Sequence, residues 1–178
     1  MLRVASVGDV TAMQAVERAA GEPFRGLGMD AVADDEPPAA EVLRGFVDGG
    51  RAWVAESGGA VVAYLVADVV DGCGHVEQVS VHPDHAGHRC GAALVEHLAA
   101  WSRQRGHPAL TLTTYRDVPW NGPYYARCGF RALNGDELGP GLRTIRADEA
   151  ARGLDRWPRI AMRRELRPGR NGPLSPTT

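Results

Sequence analysis

Apolar and polar residues alternate over Leu2–Ser6, which predicts an opening strand. Ser6 and Asp9 then form a helix N-cap pattern, and Val10, Met13 and Val16 follow at helical spacing. From Gly21 to Pro38 the chain is rich in Gly, Pro and acid, including Asp34-Asp35-Glu36, and reads as a loop with room for a short helical turn. Pro37 or Pro38 can open a second helix carrying Val42, Leu43, Phe46 and Val47 and stopping at Gly49-Gly50. Arg51–Glu56 and Ala60–Val70 are β-rich runs joined by Ser57-Gly58-Gly59, a hairpin signal. Asp71-Gly72 turns the chain again, into a strand over His75–Val81.

A helix from about Gly87 to Arg105 aligns Leu94, Leu98 and Trp101 on one face and ends at Gly106. Ala109–Thr114 is a short β run, Asn121–Cys128 a helix, and Gly129-Phe130 begins another strand. Asn134–Arg156 is polar and partly helical, and a last strand lies around Arg159–Leu166. This order, β-α-α-β-β-β-α-β-α-β-(α)-β, predicts an α/β fold with a mixed central β-sheet flanked by helices on both faces. It forms one domain over 1–166. Residues 167–178, Pro/Gly/Ser-rich from Pro168 onward, read as a disordered tail.

Composition narrows the function classes. A chain of 178 residues with 44% hydrophobic content suits a single core. A formal net charge of −2 and a pI near 6.3 give a nucleic-acid partner no electrostatic support. No apolar run approaches the ~20 residues of a membrane span, so no membrane association is expected. MLRVASVGDV has no charged-then-apolar leader. Cys73, Cys90 and Cys128 are odd in number and fit neither a zinc pattern nor a disulfide framework, so a reducing cytoplasm is the expected location and no metal is expected. All 20 basic residues are arginine, the mark of a GC-rich coding bias; one consequence is that the protein has no lysine of its own to modify.

The chemistry concentrates in His75–Leu94, a strand, a glycine-bearing turn and the start of an amphipathic helix. Such a turn points backbone N–H groups and the positive end of a helix at one spot, a site for a phosphate-bearing ligand. Glu77 lies on the strand just upstream. Period-two alternation puts His75, Glu77, Val79 and Val81 on one strand face, where apolar neighbours would push a carboxyl toward neutrality and suit it to take a proton from an ammonium.

At these residues the chain resembles the GNAT superfamily of N-acetyltransferases. That superfamily carries a Gln/Arg-x-x-Gly-x-Gly/Ala turn after a strand ending in Val-x-Pro; here Val81-His82-Pro83 precedes Ala86-Gly87-His88-Arg89-Cys90-Gly91. Ala86 replaces Gln/Arg, and Arg89 stands where Gly is usual. Asn121-Gly-Pro-Tyr-Tyr-Ala-Arg-Cys-Gly-Phe130 is similar to the family's Asn…Tyr-x-x-x-Gly-Phe segment.

The resemblance implies acetyl-CoA as co-substrate, its diphosphate on main-chain N–H groups of Ala86, Gly87, His88, Arg89, Cys90, Gly91 and Ala92, and its pantetheine along Val79, Ser80 and Val81. A main-chain N–H near Val79 would face the thioester carbonyl, in a slot where this strand splays from its neighbour. Glu77 matches one family position for the general base and His75 another; Tyr125 matches the general-acid tyrosine, and Asn121 would bond the pantetheine arm. If position 89 needs φ > 0, Arg89 carries strain of about 1 kcal/mol, against a phosphate contact worth ~1.5–3 kcal/mol. Phe24, Asp34, Asp35, Glu36, Asp117 and Trp120 would border an amine pocket, and Asn134–Arg156 would cap it.

Plainer roles stand beside each: Glu77 as a salt-bridged surface residue, His75 as a hydrogen-bonded strand histidine, Tyr125 as a core aromatic, the loop acids as solvated. The expected function is acetyl transfer to a primary amine of a small molecule, directly in a ternary complex. Two alternatives remain: an acyl-CoA-binding sensor without catalysis, and an acetyltransferase of protein N-termini or lysines. Acyl-chain length and oligomeric state stay open, a homodimer included.

Overall fold

A computed structural model of the chain describes residues 1–166; the tail expected at 167–178 lies outside the described residues. Seven strands form one sheet: β1 Leu2–Val4, β2 Ala52–Ser57, β3 Ala60–Val70, β4 Cys73–Val81, β5 Ala109–Tyr115, β6 Arg131–Ala132 and β7 Arg159–Glu165. Their spatial order is β1-β2-β3-β4-β5-β7-β6. The β4–β5 pair is parallel and the other pairs are antiparallel, so the sheet is mixed as expected. The β2–β3 and β3–β4 connections turn on left-handed residues, Gly58 and Gly59 (φ 58° and 82°) and Asp71 and Gly72 (φ 51° and 74°). Two adjacent residues with φ > 0 give the backbone twist a tight hairpin requires.

Helices cover both faces. On one face α1 (Val10–Gly21) and α3 (Ala40–Asp48) press Met13, Val16 and Leu43 onto Val54, Tyr64 and Val66. On the other, α4 (Cys90–Gln104) buries Leu94, Val95 and Leu98 against Trp53, Leu65, Val76 and Leu110. Each fully buried leucine of this kind contributes roughly 1.5–3 kcal/mol. The loop between α1 and α3 holds a 3-10 segment, Glu22–Leu27, and a four-residue helix, α2 (Asp30–Ala33). The helix expected to open at Pro37 or Pro38 begins at Ala40, with Ala39 extended before it. A residue that precedes proline avoids the α region, and Pro37 precedes Pro38.

After β5, α5 (Gly122–Arg127) leads to the two-residue β6. The polar insertion then contains α6 (Pro140–Ala151), whose N-terminal amides at Gly141 and Leu142 donate to the Asp71 carboxylate at 2.8 and 3.0 Å. A carboxylate there satisfies orphan N–H groups and the helix dipole together, and fixes the insertion to the β3–β4 turn.

Two local expectations are corrected. The helix read from Gly87 starts at Cys90, because Gly87 (φ 81°) and Arg89 (φ 60°) are left-handed and an α-helix accommodates neither. The shared face of His75, Glu77, Val79 and Val81 is broken by a bulge: Ala67 pairs with Val76 and Val66 with Gln78, leaving Glu77 as the extra residue. Val79 and Val81 pack with the α4 core, whereas His75 turns to the opposite face, its Nδ1 2.9 Å from Thr111 Oγ1. An inserted residue reverses strand alternation, which composition does not reveal.

Candidate active site

The parallel pairing of β4 and β5 covers only Gly74↔Leu110 and His75↔Thr111; beyond it the strands separate. A cleft of about 1130 Å³ passes through this gap. Single-ligand sites typically occupy ~300–1,000 Å³, so the cleft has room for a large ligand and a smaller one together. His82 N donates to Val62 O on the β3 side. By alternation Val79 and Val81 direct their N–H and C=O groups the other way, into the gap. The slot expected from the family resemblance is therefore present, with a free strand edge along it.

At one end of the cleft lies the turn before α4. Ala86, Gly87, Arg89, Cys90, Gly91 and Ala92 line it. His88 does not, a correction to the expected set: its main-chain N–H donates to His85 O at 3.4 Å and its side chain is exposed. Gly91 is required for close approach, since a Cβ there would lie 3.2 Å from Tyr124 Oη and 3.3 Å from Val81 Cγ2. Arg89 adopts φ 60°, so the conditional strain is real, at about 1 kcal/mol. Its exposed side chain leaves the guanidinium free to meet an anion. Arg127, over the Tyr124 ring at 6.0 Å, adds a second cation that motif reading missed. Small residues, helix amides and two arginines fit the diphosphate of coenzyme A, with Ala86, Gly87, Arg89, Cys90, Gly91 and Ala92 as the residues that would hold it.

Glu77, the extra residue of the bulge, lines the cleft with a side chain still open to solvent. Its carboxyl is shifted above the ordinary glutamate range, first by loss of solvent, then by the negative charges of Asp68 and Glu149, with Arg152 opposing. His75 also borders the cleft but is buried, and burial lowers its pKa to about 4, so it is neutral at physiological pH and a weak base.

Tyr125 lines the same cleft from α5, with its ring edge-on to Tyr124 (5.3 Å) and Phe130 (5.8 Å). Burial pushes its phenol above the usual value of 10, which keeps it protonated. It is thus both a core aromatic and a cleft residue. Asn121, the N-cap of α5, is also on the wall.

The other end of the cleft is built of side chains from distant segments. Phe24 packs edge-on to Trp120 (5.3 Å) and to Tyr115 (5.9 Å), and all three line it. Of the loop acids, Asp35 and Glu36 border the cleft. Asp34 and Asp117 do not: Arg25 takes Asp34 at 2.6 Å and Arg116 takes Asp117 at 2.9 Å. Ile145, Glu149, Arg152 and Leu154 bring the polar insertion to the cleft, where a cap was expected.

Two carboxylates here escaped sequence reading. Glu17 on α1 accepts from Tyr64 Oη (2.7 Å), Ser80 Oγ (2.5 Å) and Gln78 Nε2 (2.8 Å). Glu149 accepts from Thr113 Oγ1 (2.5 Å) and Arg159 Nη2 (2.8 Å) and also pairs with Arg146. Burial works to raise the Glu149 carboxyl, but the Arg159 and Thr113 hydrogen bonds overcome it and the net direction is down. No local spacing announces either residue, because Glu17 is met from β3 and β4 and Glu149 from β5 and β7. Among the described residues no group of three or more His, Cys, Asp or Glu side chains is placed to hold a metal ion. No described helix is long and apolar enough to cross a membrane.

A family model described as the acetyltransferase (GNAT) family matches residues 13–130, more than half of the chain. The chain belongs to the GNAT acetyltransferase family. Solved GNAT-type structures share its fold. N-acetylglutamate synthase of Neisseria gonorrhoeae, solved with coenzyme A and N-acetyl-glutamate, is 21% identical, with a TM-score of 0.71 over 93% of this chain and 35% of its own. This GNAT chain therefore spans about a third of that enzyme's length. The PaiA N-acetyltransferase of Thermoplasma acidophilum, solved with coenzyme A, is 11% identical, with a TM-score of 0.69 over 93% of this chain and 98% of its own. The ribosomal-protein-S18-alanine N-acetyltransferase of Escherichia coli is 17% identical, with a TM-score of 0.65 over 97% of both chains. At such identities the likeness speaks for the fold alone.

Proposed function

We propose that this GNAT protein is a cytoplasmic, acetyl-CoA-dependent N-acetyltransferase that acts on a primary amine of a small molecule by direct transfer in a ternary complex. One observation carries the reading: the β4 bulge sets Glu77 between a free strand edge leading to the α4 turn and a separate side-chain-lined chamber. Acetyl-CoA, when bound, supplies an activated acetyl thioester. The α4 turn and Arg89 hold its diphosphate, and the outward amides of Val79 and Val81 pair with its pantetheine arm.

Glu77 takes the proton from the acceptor ammonium, directly or through a water, and its raised carboxyl pKa brings it nearer the amine's range. The main-chain N–H of Val79 donates to the acetyl oxygen as negative charge gathers there. Tyr125, protonated at physiological pH, gives its proton to the departing sulfur. Asn121 bonds the pantetheine arm.

The insertion supports a small acceptor over a protein segment. Asp71 secures the start of α6 and Glu149, joined to Arg159 and Thr113, secures its end, so a fixed wall stands over the acceptor chamber. The test is a thiol-release assay with acetyl-CoA and a panel of small primary amines beside peptides with free N-termini or lysines. Turnover of a small amine with no acetylated enzyme by mass spectrometry is the expected result. Turnover of peptides alone would move the acceptor class, and coenzyme A binding with no turnover at all would favour a sensor.

A further inference from the structure

The acceptor chamber contains two guanidinium groups that the transfer chemistry does not use. Arg159 of β7 is held in place: Nη2 meets Glu149 Oε1 at 2.8 Å, Nε meets Glu149 Oε2 at 3.2 Å, and the group lies 4.5 Å from the Tyr115 ring centroid. Its side chain is 10% exposed, and among the described residues Nη1 has no hydrogen-bond partner. Arg152, at the end of α6, is exposed on the same cleft and makes no ion pair with a described residue.

The charged side chains around the chamber define what a ligand would meet. Glu17 is occupied by three donors, and Glu36 faces Arg18 at 3.5 Å. Glu149 and Asp155 balance Arg146 and Arg159, so that network is neutral and Arg159 offers a fixed donor edge rather than net charge. Glu17, whose three donors are all neutral, Glu77, Asp35 and Arg152 are left without ion partners among the described residues. The chamber thus presents unengaged charge of both signs, beside the aromatic rings of Phe24, Tyr115 and Trp120. A simple cationic amine would leave Arg152 and the Nη1 edge of Arg159 unused, whereas a zwitterion answers both signs.

We propose that the acceptor is an amino carboxylate with an apolar body, its carboxylate bound by Arg152 and the Nη1 edge of Arg159 while its amine reaches Glu77. The proposal rests on the reading of this cleft as the acetyl-transfer site. Asp35 lines the chamber and also, with Arg152, an adjoining cavity of about 310 Å³, so it is the competing partner for Arg152. If Asp35 holds Arg152 in solution, the carboxylate preference is absent.

The experiment uses matched pairs that differ by one carboxylate: L-phenylalanine with 2-phenylethylamine, L-leucine with isoamylamine, and L-methionine with 3-(methylthio)propylamine. Turnover is measured with acetyl-CoA, and binding by calorimetry on the coenzyme A-loaded protein. In at least one pair the amino acid should exceed its amine by tenfold or more in kcat/KM, and Arg152→Gln should collapse that ratio, chiefly through KM. Amines equal to or better than their amino acids in every pair, a ratio that persists in Arg152→Gln, or no amino acid binding to the loaded protein would each overturn the proposal. Coenzyme A binding to the wild type is recorded first: its absence defeats the parent reading, whereas its presence with the wrong preference defeats this inference alone.

Discussion

The coenzyme end of the cleft is made mostly of main chain, whereas the acceptor end is made of side chains gathered from α1, the α2 region, β5, α6 and β7. A main-chain site needs particular backbone angles and little bulk, so its requirements fall on neighbouring residues: Gly87 at φ 81°, Arg89 at φ 60°, and no Cβ at Gly91 under Tyr124. A side-chain site needs only that distant residues converge. The first kind can be stated as a short spacing and the second cannot. The two halves also tolerate change differently, and substitutions can be chosen to separate them.

Glu77 sits where the halves meet, and Glu77→Gln should have the largest effect. General-base loss of this kind typically removes ~10²–10⁴-fold of rate, so kcat should fall at least about 100-fold while acetyl-CoA affinity is retained. The wild-type kcat/KM should rise with pH through an ionisation above the ordinary glutamate range, since the base works only when deprotonated and its pKa is raised. That limb should vanish in the variant, and an unchanged pH profile would assign it to another group.

Next in size is the contrast between two adjacent tyrosines. Tyr125→Phe should cut kcat by roughly 10–100-fold through loss of the sulfur's proton donor. Tyr124→Phe should act on the coenzyme side, raising the acetyl-CoA KM a few-fold, because the Tyr124 hydroxyl lies over Gly91. Reversed effects in steady-state kinetics would exchange their roles.

Much of this division follows from what the sequence could carry. The hairpins and the order of elements along the chain follow local glycines and periodicity, and those readings stand apart from the start of α4. The bulge at Glu77 depends on β3 pairing two residues against three, which alternation in β4 alone cannot register. Asp34 and Asp35 are adjacent and chemically alike, yet one meets Arg25 and the other the cleft, a choice made by tertiary packing. Glu17 gained its place from partners 47 to 63 residues away, and Glu149 from Thr113 and Arg159, 36 and 10 residues away.

A smaller effect is expected at Arg89. Arg89→Gly relieves backbone strain of about 1 kcal/mol but removes a charge-assisted contact of ~1.5–3 kcal/mol. Acetyl-CoA should therefore bind several-fold more weakly by titration calorimetry, and tighter binding would mean that Arg89 makes no phosphate contact. His75 gives an effect on stability alone. Its folded pKa of about 4 lies below the ordinary 6.5, so between these values the unfolded chain binds a proton the folded chain refuses. Stability is present above pH 6.5 and is lost as pH falls toward 4, by about 3 kcal/mol at ~1.4 kcal/mol per unit. Denaturant melts across that range should show a flatter pH dependence in His75→Gln.

The most direct measurement is acetyl-CoA calorimetry on the wild type and on Ala92→Asp. Ala92 lines the cleft in the first turn of α4. A carboxylate there suits the helix N-terminus but repels a diphosphate. The wild type should bind, and the variant should lose affinity by about tenfold or more, ~1.4 kcal/mol, with its melting temperature unchanged or raised. A wild type that gives no binding heat, or a variant that binds as tightly, would contradict the assignment of the α4 turn as the diphosphate site.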